Sequence, residues 1–279
     1  MATSGPVLRA HLSALAALGD DALGLDLVAL DLAGFNHPQA EPLEYVIHLD
    51  ALADRLMDMA DDHRSRASDR VHSLTRMMTG VYGYGPEDDE DDDAPETDLI
   101  ETIETRRGSG ETLGIIALEA MRRAGWQAEA LNFAPRFLIR LTDEDGERVI
   151  ADPLSGWRPV EAHHMRDWVK AHYGLGAELT PDQYERLSNR AVLLRLQSAV
   201  KIRHLKAGRL ARALGVVENT LLFAPQFQSL WREAAVLHAR LNHYPQAVAA
   251  LEQFLARCQD RAQRIKAQQM LADLRQHLN

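Results

Sequence analysis

Residues 106–141 read RRGSGETLGIIALEAMRRAGWQAEALNFAPRFLIRL, and their interpretation decides the fold. The glycines and hydroxyl residues at the front resemble a phosphate loop. Gly110, however, is followed by Glu111 and Thr112, which puts a carboxylate where such a loop needs a lysine. The residues ahead, TDLIETIETRR (97–107), show helical spacing at Leu99, Ile100 and Ile103 where a phosphate loop would follow a buried strand. A helix start accounts for the same letters: Ser109 as N-cap, Glu111 near the positive helix end, and an apolar face of Leu113, Ile116, Ala117 and Met121. The period then changes. WQAEALNF (126–133) and RFLIRL (136–141) read as extended, Asp143–Gly146 as a turn, and ERVIADP (147–153) as a third strand ending at Asp152 and Pro153. A helix followed by a small antiparallel sheet is expected, with another helix in EAHHMRDWVKAHYG (161–174).

Ahead of this core, residues 1–79 read as helical. Leu8, Leu12, Leu15 and Leu18 form a stripe, and Pro42 opens a helix whose apolar set is Leu43, Val46, Ile47, Leu52, Leu56 and Met59. Residues 80–96, GVYGYGPEDDEDDDAPE, have the Gly, Pro and charge content of a flexible loop. The core then spans 97–184, and 185–279 is a repeat. Shifting the chain by 34 residues superposes His204 on His238, Ala213 on Ala247 and Glu218 on Glu252, with Leu210/Tyr244, Leu214/Val248, Val217/Leu251 and Leu221/Leu255 in step. That is the period of the tetratricopeptide repeat, which this stretch resembles; Trp231 takes the aromatic position of a first helix, Ala213 and Ala247 the small position of the second, and Pro225 the terminal proline. Gln197 departs from the consensus aromatic. The expected class is α+β, mostly helical.

Composition excludes several functions. The net charge of −10 is concentrated in EDDEDDD (Glu87 to Asp93), which leaves −3 for the rest of the chain, so there is no basic surface for nucleic acid. That run lacks the glycine of a calcium loop and reads as a solvated segment. The apolar stretch LGLDLVALDLA (23–33) is broken by Asp26 and Asp31, and the front of the chain lacks a signal-peptide pattern, so a cytoplasmic protein without membrane attachment is expected. The single cysteine, Cys258, lies in the last repeat and reads as a small buried hydrophobe. Adjacent His163 and His164 should point to different sides of a helix, which argues against a metal site, and no cofactor is expected. Phe227 and Trp231 read as repeat core.

The order of helical region, helix with small sheet, and helical repeat resembles the SirB-type branch of the transglutaminase-like superfamily. The resemblance is carried by ETRRGSGETLGIIALEAMRRAGWQAEALNFAPRFLIRL, DGERVIADPLSG and SNRAVLLRLQSAVKIRHLKAGRL. It implies a papain-like core in which a Cys nucleophile opens the helix, a His on the sheet is its base, and an Asp on the next strand orients the His. On that pattern the nucleophile position falls on Thr112, or on Ser109 with a slipped register. The base position falls on Arg136 and the orienting acid on Asp152. A guanidinium cannot accept a proton, and a Thr hydroxyl is a weak nucleophile without a base, so the cysteine mechanism is excluded as written.

The expectation is therefore a non-enzymatic interaction or regulatory protein, its partner a protein or peptide bound through the repeats around His204, Ala213, Trp231, His238 and Ala247. Two other readings use the cleft. One is acyl transfer or amide hydrolysis by Thr112 or Ser109. The other is an anion sensor in which Arg106, Arg136 and the amides at Ser109 to Thr112 bind a carboxylate or phosphate at the helix N-terminus; the candidate pocket comprises Arg106, Ser109, Gly110, Thr112, Arg136 and Asp152.

Overall fold

Apolar residues at helical spacing become helices along most of the chain. The computed structural model describes residues 5–59, 66–87 and 98–276. In chain order these comprise α1 (Gly5–Ala14), α2 (Leu25–Gly34), α3 (Pro42–Met59) and α4 (Ala67–Thr75), the last running into a π-helical turn at Arg76–Val81. The short strand β1 (Gly85–Pro86) and α5 (Leu99–Thr105) come next, then β2 (Arg107–Gly108), α6 (Gly110–Arg123), β3 (Gln127–Ala130), β4 (Ile139–Thr142), β5 (Arg148–Asp152) and β6 (Arg158–Pro159). They are followed by α7 (Ala162–Tyr173), α8 (Asn189–Lys206), α9 (Leu210–Phe223), α10 (Gln228–Arg240), α11 (Tyr244–Arg257) and α12 (Arg261–Gln276). Most of the acidic run, from Asp88 to Asp93, lies outside the described residues.

The chain forms two compact units, Asp20–Leu193 and Gly5–Gly19 with the residues from Leu194 onward. The expected continuous helical region 1–79 is thus divided, because α1 packs on α9 and belongs with the repeats. The stripe in α1 is also shorter than its spacing implied: Leu8 and Leu12 are buried, but the helix ends at Ala14 and Leu18 is exposed. In α3 the buried set is Tyr45, Leu49, Leu52, Ala53 and Leu56, while Leu43 and Ile47, expected inward, face solvent.

In the first unit, α6 is the central helix. Ser109 caps it as expected, its side chain accepting from the Thr112 amide, and from Leu113 to Met121 every residue but Glu119 is buried. The sheet is a four-stranded antiparallel meander, β3-β4-β5-β6, so β6 adds a strand to the three expected. A second, parallel pair joins β1 to β2; residues 85–86, expected within a loop, are therefore held beside the turn that opens α6.

Gly114 lets the sheet approach this helix. A Cβ there would lie 2.2 Å from Cε1 of Phe137, a ring that is itself buried. Alanine at an exposed helical glycine gains about 1 kcal/mol. Here the overpacking reverses that sign, and Gly114→Ala is expected to lower the unfolding free energy by about 1–2 kcal/mol, read by urea denaturation.

The second unit follows the 34-residue offset closely. Helices α9 and α11 begin and end 34 residues apart, as do the ends of α8 and α10. Gly208 and Asn242 both take left-handed backbone, at φ 69° and 61°. The Arg209 amide donates to the His204 carbonyl at 2.8 Å and the His243 amide to that of His238 at 2.9 Å. Ala213 and Ala247 are fully buried where paired helices cross, the spacing a side chain of one methyl permits. Cys258 packs in the same core. Trp231 is partly buried with its indole N–H donating to the Pro225 carbonyl, while Phe227, expected in the core, is exposed enough to line a groove.

Candidate functional site

The turn between α5 and α6 is built by three local choices. Arg106 ends α5 in left-handed backbone at φ 61°, with its amide held by the Thr102 carbonyl at 3.0 Å. Arg107 and Gly108 then pair with β1. Gly108 has no room for a side chain, since a Cβ would lie 2.5 Å from both Thr102 Cγ2 and Thr112 Oγ1. Ser109 starts the helix, its Oγ accepting from the Thr112 amide at 3.2 Å.

Thr112, the position matched to the nucleophile, is fully enclosed. Its Oγ1 accepts from the Thr102 hydroxyl at 2.9 Å and donates to the Ser109 carbonyl at 3.3 Å, with the Ser109 hydroxyl also at 3.3 Å. None of these partners is a base. The hydroxyl ties the helix start to α5 and does not point into an open cleft.

The other two matched positions meet each other. Arg136 donates to the buried Asp152 carboxylate at 2.7 Å and lies over the Trp168 ring of α7, 4.4 Å from its centroid. The second carboxylate oxygen of Asp152 accepts from the Leu154 amide at 2.9 Å, capping the turn that follows β5. A Cβ on Gly110 would touch both Phe137 Cβ and Leu154 Cγ at 3.4 Å, so the start of α6, the segment after Arg136 and the Asp152 turn converge at one corner. The segments expected to carry a papain-like site therefore lie together. What they carry is an enclosed hydroxyl and an ion pair.

Arg106 does not join that corner. Its guanidinium is directed to His48 on α3 and to Tyr84, donating to the Tyr84 hydroxyl and lying 2.7 Å from His48 Nε2, with its carbon 4.8 Å from the Tyr84 ring centroid. Tyr84 and His48 Nε2 are 2.8 Å apart. This trio is not legible in the sequence, since its members come from three separate segments with no shared spacing. Burial, reinforced by the Arg106 charge, pushes His48 down to about 4, and burial pushes Tyr84 up to about 12. His48 is therefore neutral at pH 7, with Nε2 accepting. In the unfolded chain it takes up a proton near 6.5. A depressed folded value gives stability that is present above 6.5 and lost as pH falls toward 4. Melting followed from pH 7 to pH 4 is expected to show this loss, and His48→Gln is expected to flatten it.

His163 and His164 lie side by side at the start of α7 with tilted rings whose centroids are 3.9 Å apart, so they do not point to different sides; His164 Nδ1 accepts from the Glu161 amide. Among the described residues no three His, Cys, Asp or Glu side chains group as metal ligands, and no helix is long and apolar enough to cross a membrane.

In the second unit a groove of about 170 Å³ lies among α8, α9 and α10, bordered by Gln197, Lys201, Val217, Thr220, Phe227 and Leu230. Lys201 pairs with Glu233 across its rim at 2.6 Å. His204 and His238 are buried at equivalent places, and His238 lies 3.4 Å from Glu218.

Comparison with known proteins agrees with this architecture. The profile of the transglutaminase-like superfamily matches residues 43–198, and that of the tetratricopeptide repeat matches 200–272. A UPF0162 protein of Xylella fastidiosa is 25% identical over 248 residues, 87% of each chain. A UPF0162 protein of Pseudomonas aeruginosa is 27% identical over 248 residues, covering 88% of this chain and 89% of its own. UPF0162 protein YchA of Escherichia coli is 24% identical over 160 residues, 57% of this chain and 59% of its own.

Proposed function

Because the chain belongs to the transglutaminase-like superfamily, in its SirB-type branch with tetratricopeptide repeats behind the domain, we propose that it is a non-enzymatic, cytoplasmic interaction protein. In this reading the repeats take a protein or peptide partner and the former catalytic corner has become a structural anchor. The observation that carries it is the Thr112 hydroxyl, enclosed and committed to Thr102 and Ser109, beside an Arg136 that is ion-paired to Asp152 and cannot act as a base. Support for the partner class comes from the repeat groove, whose half-exposed Phe227 and mixed Lys201/Glu233 rim suit an extended peptide with apolar and charged side chains.

The test uses the full chain as bait in a native lysate beside the same chain carrying Phe227→Asp, with retained proteins identified by mass spectrometry. A near-stoichiometric partner kept by the first and lost by the second is the expected result. Hydrolysis of amide or peptide substrates by the purified chain, abolished by Thr112→Ala, would overturn the reading in favour of a hydrolase.

A further inference from the structure

At the other end of α6, away from Thr112, the first unit holds a cavity of about 530 Å³ in which four arginines meet: Arg122, Arg140, Arg148 and Arg186. Against them the wall carries two carboxylates, Asp21 and Glu129, while Glu119 pairs with Arg122 at 3.3 Å. In a chain of net charge −10 this is a local excess of positive charge.

The sheet explains why the charges gather. The backbone alternation of β4 turns Ile139 and Leu141 to the core and Arg140 and Thr142 outward. Register places Arg140 opposite Glu129 and Thr142 opposite Arg148, so all four lie on the outward face, and the chain after Tyr184 brings Arg186 against it. Arg186 is paired with Asp21, and Arg140 with Glu129 and with the Tyr184 carbonyl at 2.9 Å. Nε of Arg140 is buried without a hydrogen-bond partner, a donor whose desolvation is uncompensated. Among the described residues Arg148 has no carboxylate partner.

We propose that this cavity binds a small organic phosphate. Guanidinium groups arriving from several directions suit the tetrahedral oxygens of a phosphoryl group, which accept paired N–H donors. The cavity is larger than a single phosphate requires, and its uncharged walls supply hydrogen-bonding amide and hydroxyl groups from Gln127 and Thr142, while the Asn189 amide is held by Arg122 and the Leu23 carbonyl. Gln127 and Thr142 match a hydroxyl-bearing organic portion such as a sugar. The site is independent of the repeat groove, and its test does not depend on any protein partner.

The full-length chain is titrated calorimetrically at low ionic strength with ribose 5-phosphate, inorganic phosphate, ribose and succinate. The expected order is ribose 5-phosphate tightest, inorganic phosphate weaker, and ribose without measurable heat. Arg148→Gln, at an exposed position that leaves the fold intact, is expected to weaken ribose 5-phosphate about tenfold, and Arg148→Lys to restore part of the loss. No binding of ribose 5-phosphate at 10 mM overturns the proposal. So does an Arg148→Gln variant that binds as the parent does, or succinate bound as tightly as the phosphate ester, which would assign the cavity to dicarboxylates.

Discussion

Replacing Trp157 by alanine is expected to lower the unfolding free energy of the first unit by about 4 kcal/mol, the largest single effect among the substitutions considered. Trp157 is fully enclosed and sits in left-handed backbone at φ 58°, directly after Gly156 at 71°. Its amide donates to the Asp152 carbonyl at 2.8 Å and its carbonyl accepts from the Thr75 hydroxyl at 3.3 Å, so the turn after β5 is held from both sides. Truncation leaves a cavity the size of an indole at the point where that turn meets the end of α4. Trp157→Phe is expected to cost only about 1 kcal/mol, because the indole N–H is buried without an acceptor and its removal forfeits no hydrogen bond. Urea titration of both variants checks the contrast. A Trp157→Ala loss no greater than that of Trp157→Phe would show that the ring does not anchor the turn.

The second large effect is expected at the Arg136–Asp152 pair. Asp152 is completely buried and, among the described residues, its carboxylate accepts only from Arg136 and the Leu154 amide, so Arg136→Met strands a carboxylate with one weak donor. Removing one partner of a buried pair costs about 3–5 kcal/mol. The Arg136 side chain is 34% exposed, which admits water to the site, and about 2 kcal/mol is expected instead. Asp152→Ala should cost about 3 kcal/mol, since the turn loses its cap as well. The double variant Arg136→Met/Asp152→Ala should be less destabilised than the sum of the two, because it leaves no unpaired charge. Strictly additive losses would mean that the two groups stand apart in solution, and the corner would then be open to a ligand.

These two expectations bear on how the molecule works. The expected pattern gives Arg136 and Asp152 the positions that serve a nucleophile. Here they brace the junction of β5 and α7, with Arg136 spanning from Asp152 to the Trp168 ring. A corner braced in this way has little freedom left to reorganise around a reacting substrate, which is the physical basis of the proposed non-enzymatic role.

Much of this was legible in the residues and some of it was not. The Ser109 cap, the α6 face and the strands at 127–130, 139–142 and 148–152 follow from the apolar pattern, because each is decided within a dozen residues. The fourth strand escaped notice because Arg158–Pro159 is only two residues long and carries no alternation. At the candidate site the missing base could be read directly, since no environment turns a guanidinium into a proton acceptor. The destinations of Arg106 and of the Thr112 hydroxyl could not. Thr102 sits one helix away from Thr112, and His48 lies 58 residues before Arg106.

The sequence by itself determined the local order: where helices start, where the period changes from helix to strand, and a repeat whose 34-residue offset recurs even in the left-handed residues Gly208 and Asn242. Those features depend on neighbours a few residues apart and on the conformational preferences of single side chains. Only the tertiary structure decided that Gly5–Gly19 joins the repeats, that Tyr45 and Leu49 face inward on α3 in place of Leu43 and Ile47, and that arginines from α6, the β4–β5 pair and the chain after Tyr184 line one cavity. Such choices are settled by which distant surfaces exclude water together, and that competition leaves no periodic mark on the chain.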